Sequence, residues 1–243
     1  DIFWIAPDGS IGTQWWDING NWGTPYTITP PGSAAGGLAA VARRPGHLDL
    51  FWVTPFGEIA STWWDASNVG WAPVFTLSPR GSALPASGSV ATACRLQDHI
   101  DVFYVGSDGS VMTTWWEGAL NNGAWNAPFA IAPSGSANGV VSAVSRTPAS
   151  VDVAWISADG SVGYAGWNAA TNNGAWRAPF AIAPAGSAAP TSVISLLGRL
   201  TVHLDVFWVA PDGAIGTVWW DGFVNNAKWN PNFTVAPAGS ALV

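Results

Sequence analysis

The chain has 243 residues, of which 49% are hydrophobic and only 9% are charged, and its formal net charge is −7 at pH 7. This composition excludes a disordered chain, and the acidic balance argues against a nucleic-acid partner, because phosphates select clusters of Lys and Arg. No run of residues approaches the roughly 18 consecutive apolar residues of a membrane span, and the single cysteine, Cys94, cannot form an internal disulfide.

A repeat organises the whole chain. Each unit begins with Asp, an apolar residue, Phe and an aromatic residue, except that the fourth unit has Ala154 in place of Phe. The repeated acids are Asp1, Asp49, Asp101, Asp152 and Asp205. We therefore treat residues 1–243 as one domain with five units, namely 1–48, 49–100, 101–151, 152–204 and 205–243.

Each unit predicts the same elements in the same order. A β-rich run follows the repeated Asp, and a turn such as Pro-Asp-Gly connects it to a second run that ends in Trp-Trp. A polar loop with a third Trp comes next, then a short run that leads to Pro-x-Gly-Ser-Ala, and then a run before the next Asp. No segment shows the 3.6-residue period of an amphipathic helix. Four strands per unit predict an all-β fold, a β-propeller with four-stranded blades.

The repeat predicts the type of fold more directly than it predicts the number of blades. The second, third and fourth strands occur five times, but only four complete first strands are present, beginning near residues 38, 90, 140 and 193. Closing a ring requires the terminal strands to share a blade, because an open blade leaves unpaired edges. A short strand at 241–243, residues outside this chain, a larger ring of, for example, seven blades, or an assembly of chains would each meet that requirement.

The reactive side chains follow the repeat, which argues against a catalytic site. An active site needs different groups at one reacting atom, whereas a repeat spreads like groups around a ring. The three histidines, His47, His99 and His203, each precede a repeated Asp by two residues, so they predict no metal site. No cofactor motif appears. We expect the repeated Asp to cap backbone groups at the start of a strand. Arg43, Arg95, Arg146 and Arg199 are expected to pair with that Asp rather than to contact a ligand.

The 18 tryptophans carry the functional signal. Side chains that are adjacent in a strand point to opposite faces, so the two rings of a Trp-Trp pair have different surroundings. The second ring is present in all five units and predicts packing, whereas the first is replaced by Gly166 in the fourth unit. Tryptophan beside short acidic residues suits ligands with one apolar face and many hydroxyls. The candidate ligand-binding residues are Trp15, Asp17, Trp22, Trp63, Asp65, Trp71, Trp115, Glu117, Trp125, Trp219, Asp221 and Trp229.

The segment from His203 to Trp229, His-Leu-Asp-Val-Phe-Trp, then Pro-Asp-Gly-Ala, then Val-Trp-Trp-Asp-Gly and Trp, resembles the repeat of the bacterial PLL-type lectins known from Photorhabdus. The resemblance extends over all five units. It implies four-stranded propeller blades and binding of fucose or O-methylated sugars between adjacent blades, without metal or catalysis. Members of that family usually have seven blades, and the fourth unit departs from the pattern at Ala154, Gly166 and Asn168.

These observations together predict a non-catalytic, multivalent lectin whose partners are fucosylated or O-methylated glycans. Two alternatives stay open: a protein-interaction scaffold, and a purely structural or designed repeat ring. We also expect action outside the cell or at a cell surface, although this sequence contains no signal peptide. A homo-oligomer that completes or pairs rings is a further expectation.

Overall fold

The computed structural model describes residues 1–68, 70–85 and 88–242, and these residues form five antiparallel sheets. The sheets follow one another along the chain, and we call them blades 1 to 5. Blade 1 has three strands and each of the others has four, so the predicted all-β fold with four-stranded blades is confirmed, and the four first strands belong to blades 2 to 5.

The strands of blades 1 and 2 are β1 (Ile2–Ile5), β2 (Ile11–Gln14) and β3 (Tyr26–Thr27), then β4 (Gly36–Arg44), β5 (His47–Val53), β6 (Ile59–Asp65) and β7 (Phe75–Thr76). Blade 3 contains β8 (Val90–Leu96), β9 (His99–Val105), β10 (Val111–Glu117) and β11 (Phe129–Ala132). Blade 4 contains β12 (Val141–Thr147), β13 (Ser150–Ile156), β14 (Val162–Asn168) and β15 (Phe180–Ala183). Blade 5 contains β16 (Ile194–Leu200), β17 (His203–Val209), β18 (Ile215–Asp221) and β19 (Phe233–Ala236). Three short 3₁₀ turns lie at Asn121–Gly123, Asn172–Gly174 and Asn225–Ala227.

In each blade, the Pro-x-Gly-Ser-Ala segment forms backbone hydrogen bonds with the hairpin turn of the same blade. In blade 3, the turn glycine Gly109 has φ +77°, which only glycine adopts without strain. Its carbonyl accepts a hydrogen bond from the N–H of Ala137 (2.8 Å), and the carbonyl of Asp108 accepts one from Gly135 (2.9 Å). The other blades repeat this pair of bonds, which explains why the turn and the segment recur together.

The hydrophobic core lies between the blades rather than inside one sheet. A cluster of buried side chains fills each interface between successive blades. At the interface of blades 3 and 4, for example, Phe103 and Val105 of β9 pack against Val153 and Trp155 of β13. Both faces of the central strands are therefore buried, in agreement with their unbroken apolar sequence.

The strand register brings the polar residues of the repeat together at one end of the strands of each blade. In blade 3, His99 lies opposite Glu117 and Asp101 lies opposite Trp115, while Leu96 of β8 pairs with His99. Because Arg95 immediately precedes Leu96, the ends of three strands converge there. Blades 2 and 5 have the same register.

The two ends of the array expose faces that the inner blades bury. Ile2 and Trp4 of blade 1 are exposed, whereas Val102 and Tyr104 at the same positions of blade 3 are buried. At the other end, Leu197 of blade 5 is exposed. No strand of blade 1 joins the sheet of blade 5 among the described residues. The predicted closing strand at 241–243 is not formed by Ala241 and Leu242, and Val243 lies outside the described residues.

Candidate functional site: pockets between blades

A pocket opens at each of the four interfaces between successive blades. The volumes are about 480 Å³ between blades 1 and 2, 490 Å³ between blades 2 and 3, 330 Å³ between blades 3 and 4, and 590 Å³ between blades 4 and 5. We name each pocket by its two blades. Such volumes suit a small ligand, and each pocket is lined by tryptophan.

The 3/4 pocket shows the complete arrangement. Blade 3 contributes Arg95, His99, Asp101, Trp115 and Glu117, which are the side chains that the register gathers at one end of the strands. The opposite wall is formed by Trp167, Gly174 and Trp176 of blade 4. The first Trp of one blade thus faces the second and third Trp of the next blade.

An ion pair between Arg95 and Asp101 stabilises the wall that blade 3 contributes to the 3/4 pocket. Arg95 Nε donates to Asp101 Oδ2 at 2.8 Å, and the guanidinium lies 4.3 Å from the ring centroid of Trp167 in the next blade. His99 lies with Nε2 3.2 Å from Asp101 Oδ1 and Nδ1 3.3 Å from Glu117 Oε2. The arginine therefore serves both the ion pair and the inter-blade contact, which a cation above an indole face stabilises.

The expectation that the repeated Asp caps a strand is wrong, because Asp101 accepts its hydrogen bonds from Arg95 and His99. The expected Arg–Asp pairing is present in four units. The pairs are Arg43–Asp49, Arg95–Asp101, Arg146–Asp152 and Arg199–Asp205. A buried carboxylate is stable only with such partners, which explains the choice of residues.

The histidine lies flat against the first Trp of its own blade. The ring centroids of His99 and Trp115 are 5.4 Å apart, with 13° between the planes. The pairs His47–Trp63 and His203–Trp219 have the same geometry. This stack fixes the orientation of the first indole at the wall of the pocket.

The acid after the Trp pair completes the wall. Hydrogen bonds from the Ser67 hydroxyl and from His47 hold the pKa of Asp65 well below its usual value, and Arg44 adds a pair at 2.7 Å. A hydrogen bond from the backbone N–H of Phe223 and one from the ring of His203 likewise lower the pKa of Asp221. These carboxylates are therefore ionised acceptors at neutral pH.

The second Trp of blades 3, 4 and 5 both packs against a core cluster and lines a pocket, so its assignment to packing alone was incomplete. Trp116 packs against the core between blades 2 and 3 and lies under the guanidinium of Arg43 at 4.5 Å. Its Nε1 donates to the carbonyl of Gly123 at 2.8 Å. That carbonyl is presented by a loop whose Asn122 has φ +53°. The presence of this Trp in every unit was the available signal, but it does not distinguish packing from pocket lining.

The 1/2 pocket has the same aromatic walls without the cation. Trp15, Tyr26 and Trp71 line it, and Trp71 Nε1 donates to the Tyr26 hydroxyl at 2.9 Å. Blade 1 lacks the first strand that carries the arginine in the other blades. Asp17 and Trp22 lie outside this pocket.

The candidate residues of blade 1 that lie outside the pocket have local partners. Asp17 Oδ1 accepts hydrogen bonds from the N–H groups of Asn19 and Asn21, and Trp22 packs edge-on against Trp16. Their positions in the repeat match pocket residues elsewhere, but no blade of the described chain precedes blade 1.

The structure brings eight of the twelve candidates into the four pockets: Trp15, Trp63, Asp65, Trp71, Trp115, Glu117, Trp125 and Trp229. Trp219 and Asp221 form the expected wall with Arg199 and His203, but on the outer face of blade 5. Whether any of these residues binds a ligand stays a prediction.

The 4/5 pocket departs from the pattern. Gly166 replaces the first Trp, Ser150 replaces the histidine, and Tyr164 donates a hydrogen bond from its hydroxyl to Asp152 instead. Burial, together with the charge of Asp152, raises the pKa of Tyr164 well above its usual value. The ring of Tyr164 lies edge-on to Trp229 of blade 5 at 5.0 Å.

Comparison with known proteins places the fold. No protein-family model matches the chain, and no curated protein matches its sequence. Among solved structures, the BP39L lectin from Burkholderia pseudomallei superposes with a TM-score of 0.84 at 24% identity. The alignment covers 96% of this chain but 65% of that protein, so this chain spans less than two thirds of its length.

Two further structures agree with this placement. AofleA from Arthrobotrys oligospora has a TM-score of 0.71 at 19% identity, with 99% of this chain and 68% of that chain covered. The fucose-recognising lectin of Aleuria aurantia, described as a six-bladed β-propeller, has a TM-score of 0.55 at 18% identity, with 98% and 78% covered. The predicted β-propeller fold is thereby confirmed.

The part of the chain that the structure describes lacks two further features. No helix there is both long and apolar enough to cross a membrane. No group of three or more His, Cys, Asp or Glu side chains within those residues has the arrangement of a metal site.

Proposed function

We propose that this chain is a non-catalytic, multivalent carbohydrate-binding protein that holds fucose or an O-methylated sugar in the pockets between its blades. The observation that carries the proposal is the repetition of one polar and aromatic wall, which lines both the 2/3 and the 3/4 pocket. The lectins among the similar structures and the resemblance to PLL-type lectins support the same function.

The wall offers the two kinds of contact that a sugar requires. Indole faces, such as those of Trp115 and Trp176, provide an apolar surface for the C–H groups of the ring. Arg95, His99 and Glu117 provide donors and acceptors for the hydroxyls. Methyl groups of fucose or of an O-methylated sugar add apolar area that tryptophan can cover.

The repetition also explains how several pockets that each bind a sugar weakly would together bind a glycan tightly. A single shallow pocket binds a monosaccharide weakly, with a Kd on the order of 1 mM, which corresponds to about −4 kcal/mol. Several equivalent pockets on one rigid array raise the avidity for a multivalent glycan without any new contact. A target at a cell surface, where glycans are dense, fits this design, and we propose that the chain acts there.

Titration of tryptophan fluorescence against L-fucose, methyl fucoside, O-methylated hexoses, GlcNAc and galactose tests the proposal. We expect a saturable change with fucose or an O-methylated sugar, reduced in Trp115→Ala and retained in Trp22→Ala, whose ring lies outside the four pockets. Silence across the panel up to tens of millimolar contradicts the proposal. Binding of a protein that no free sugar displaces would favour an interaction scaffold instead.

The exposed end faces support a proposal about assembly. Arg199 is 64% exposed, whereas Arg95 is 12% exposed under the indole of the next blade. At the other end, Trp16 is 54% exposed with no cation above its ring among the described residues. We propose that a second copy of this chain packs head-to-tail on these matching faces. Phe207 of blade 5 has the repeat position of Phe103, which packs against the next blade in blade 3. Sedimentation analysis should therefore show a dimer or larger species that Phe207→Asp dissociates; a monomer at high concentration contradicts this.

A further inference from the structure

The 4/5 pocket differs from the other three in its charge. Arg146, Arg177 and Lys228 line it, whereas Asp152 is its only acid, because Asn168 replaces the acid that follows the Trp pair. Three of the eight Lys and Arg residues of a chain with net charge −7 therefore meet at one pocket. In each of the other pockets, the acids at least equal the Lys and Arg residues in number.

Internal pairing neutralises only one of these cations. Arg146 Nε donates to Asp152 Oδ2 at 2.7 Å, and its Nη1 donates to the carbonyl of Thr201 at 2.7 Å. Neither Arg177 nor Lys228 forms an ion pair with any residue in the described ranges. The pocket thus retains a net positive charge of two, carried by two exposed side chains.

The two unpaired cations come from both walls and break the repeat at this pocket. Arg177 directly follows the loop tryptophan of blade 4, and Lys228 directly precedes that of blade 5. The equivalent residues in the other units are uncharged, namely Gly23, Ala72, Asn126 and Asn230 after the loop tryptophan, and Asn21, Gly70, Ala124 and Ala175 before it. A departure from repetition that gathers like charge at one place indicates a distinct ligand.

The pocket keeps the aromatic surface of the others and has more room. Trp167, Trp220 and Trp229 line it, and its volume of about 590 Å³ is the largest of the four. Gly166 contributes no indole to this pocket, and the ring of Tyr164 lies beside it instead. The groups that would stack on a sugar are therefore retained, while the charge balance of the lining has changed from neutral or acidic to basic.

We propose that the 4/5 pocket binds an anionic sugar, one that carries a carboxylate or a sulfate group, with Arg177 and Lys228 as its charge partners. This inference rests on the proposed function, because it assigns a ligand class to one of the sugar pockets. A guanidinium and an ammonium from opposite walls suit an anionic group, since charge-assisted hydrogen bonds are stronger than neutral ones. The 3/4 pocket, where Asp101 and Glu117 outnumber Arg95, would disfavour the same ligand, and the 2/3 pocket has equal numbers of arginines and aspartates and so offers no excess positive charge.

Matched pairs of sugars test the inference by calorimetry. Methyl β-D-glucuronide is compared with methyl β-D-glucoside, and galactose 6-sulfate with galactose, so that each pair differs only in the anionic group. We expect at least one anionic sugar to bind tenfold more tightly than its neutral partner, and added salt to weaken that binding. The double variant Arg177→Gln, Lys228→Gln should lose the tenfold preference, while neutral sugars should still bind in the 2/3 and 3/4 pockets, which these two side chains do not line.

Controls separate this inference from the proposed function. Arg80→Gln removes an exposed arginine that lies over Phe56, outside the four pockets, and should leave all binding unchanged. Anionic-sugar binding that survives the double variant overturns the assignment of the site. Binding of neutral sugars without any anionic sugar overturns the inference but leaves the proposed function standing. If no sugar of either class binds, both fail.

Discussion

Removal of Arg95 should destabilise the fold far more than removal of Arg199, although both arginines occupy the same position of the repeat. The Arg95 side chain is 12% exposed and its partner Asp101 is 7% exposed, so Arg95→Ala leaves a buried carboxylate without its cation. Breaking a buried pair in this way costs about 3–5 kcal/mol. The contact of Arg95 with Trp167 adds about 0.5–2 kcal/mol.

Arg199 provides the matched control. It pairs with Asp205, which is 10% exposed, but Arg199 itself is 64% exposed and no blade of the described chain follows to cover it, so its removal opens Asp205 to water. Solvent screens such a pair on the uncovered face, so Arg199→Ala should cost only about 1 kcal/mol at a protein concentration too low for two copies to associate. The difference between the two variants, at least about 2 kcal/mol in the free energy of unfolding, is the quantity of interest.

Urea unfolding, followed by tryptophan fluorescence and circular dichroism, measures both variants under the same conditions. Adding Asp101→Asn to Arg95→Ala should recover part of the loss, because a neutral amide is less costly to bury than an unpaired carboxylate. Equal losses in Arg95→Ala and Arg199→Ala, or no recovery in the double variant, would refute the argument from burial.

Three further predictions concern individual side chains. Burial raises the pKa of Tyr104 to about 12, so between pH 10 and 12 the unfolded chain loses a proton that the folded chain keeps; unfolding titrations should show stability falling over that range, and less so in Tyr104→Phe. Equal pH dependence of the two proteins would contradict this. Asn122 has φ +53°, so Asn122→Ala should cost about 1 kcal/mol in thermal unfolding and Asn122→Gly much less; the reverse order would count against it. Trp116→Phe removes the hydrogen bond to the Gly123 carbonyl, so limited proteolysis should cut the 121–125 loop faster than in Trp115→Phe, and equal rates would argue against that anchoring role.

The sequence predicted the blades well because the repeat itself aligns the strands. The predicted starts of the four first strands lie within two residues of those in the structure, and the turn and Trp-Trp motifs delimit the central strands. Pairing of Arg95 with Asp101 was also foreseeable, since both recur at fixed spacing. What one unit cannot reveal is the contact with the next blade, such as Arg95 above Trp167, because it depends on how separate sheets pack.

The same limit explains why some candidate residues lie outside the four pockets. Asp17 and Trp22 match the motif but belong to a blade with no neighbour before it among the described residues, so the position in the repeat did not give the position in a pocket. Trp116 was assigned to packing because every unit has it, yet the pocket wall and the core share that ring. Repetition identifies which residues are equivalent, whereas the interface decides what each one contacts.

A crystal structure of the protein soaked with the sugar that gives the strongest fluorescence response would test the central proposal most directly. We expect density for the sugar in the 2/3 and 3/4 pockets, with the ring against the tryptophans and its hydroxyls within hydrogen-bond distance of Arg43 or Arg95 and the neighbouring acids. Sugar bound away from the blade interfaces, with both pockets empty at saturating concentration, would contradict it.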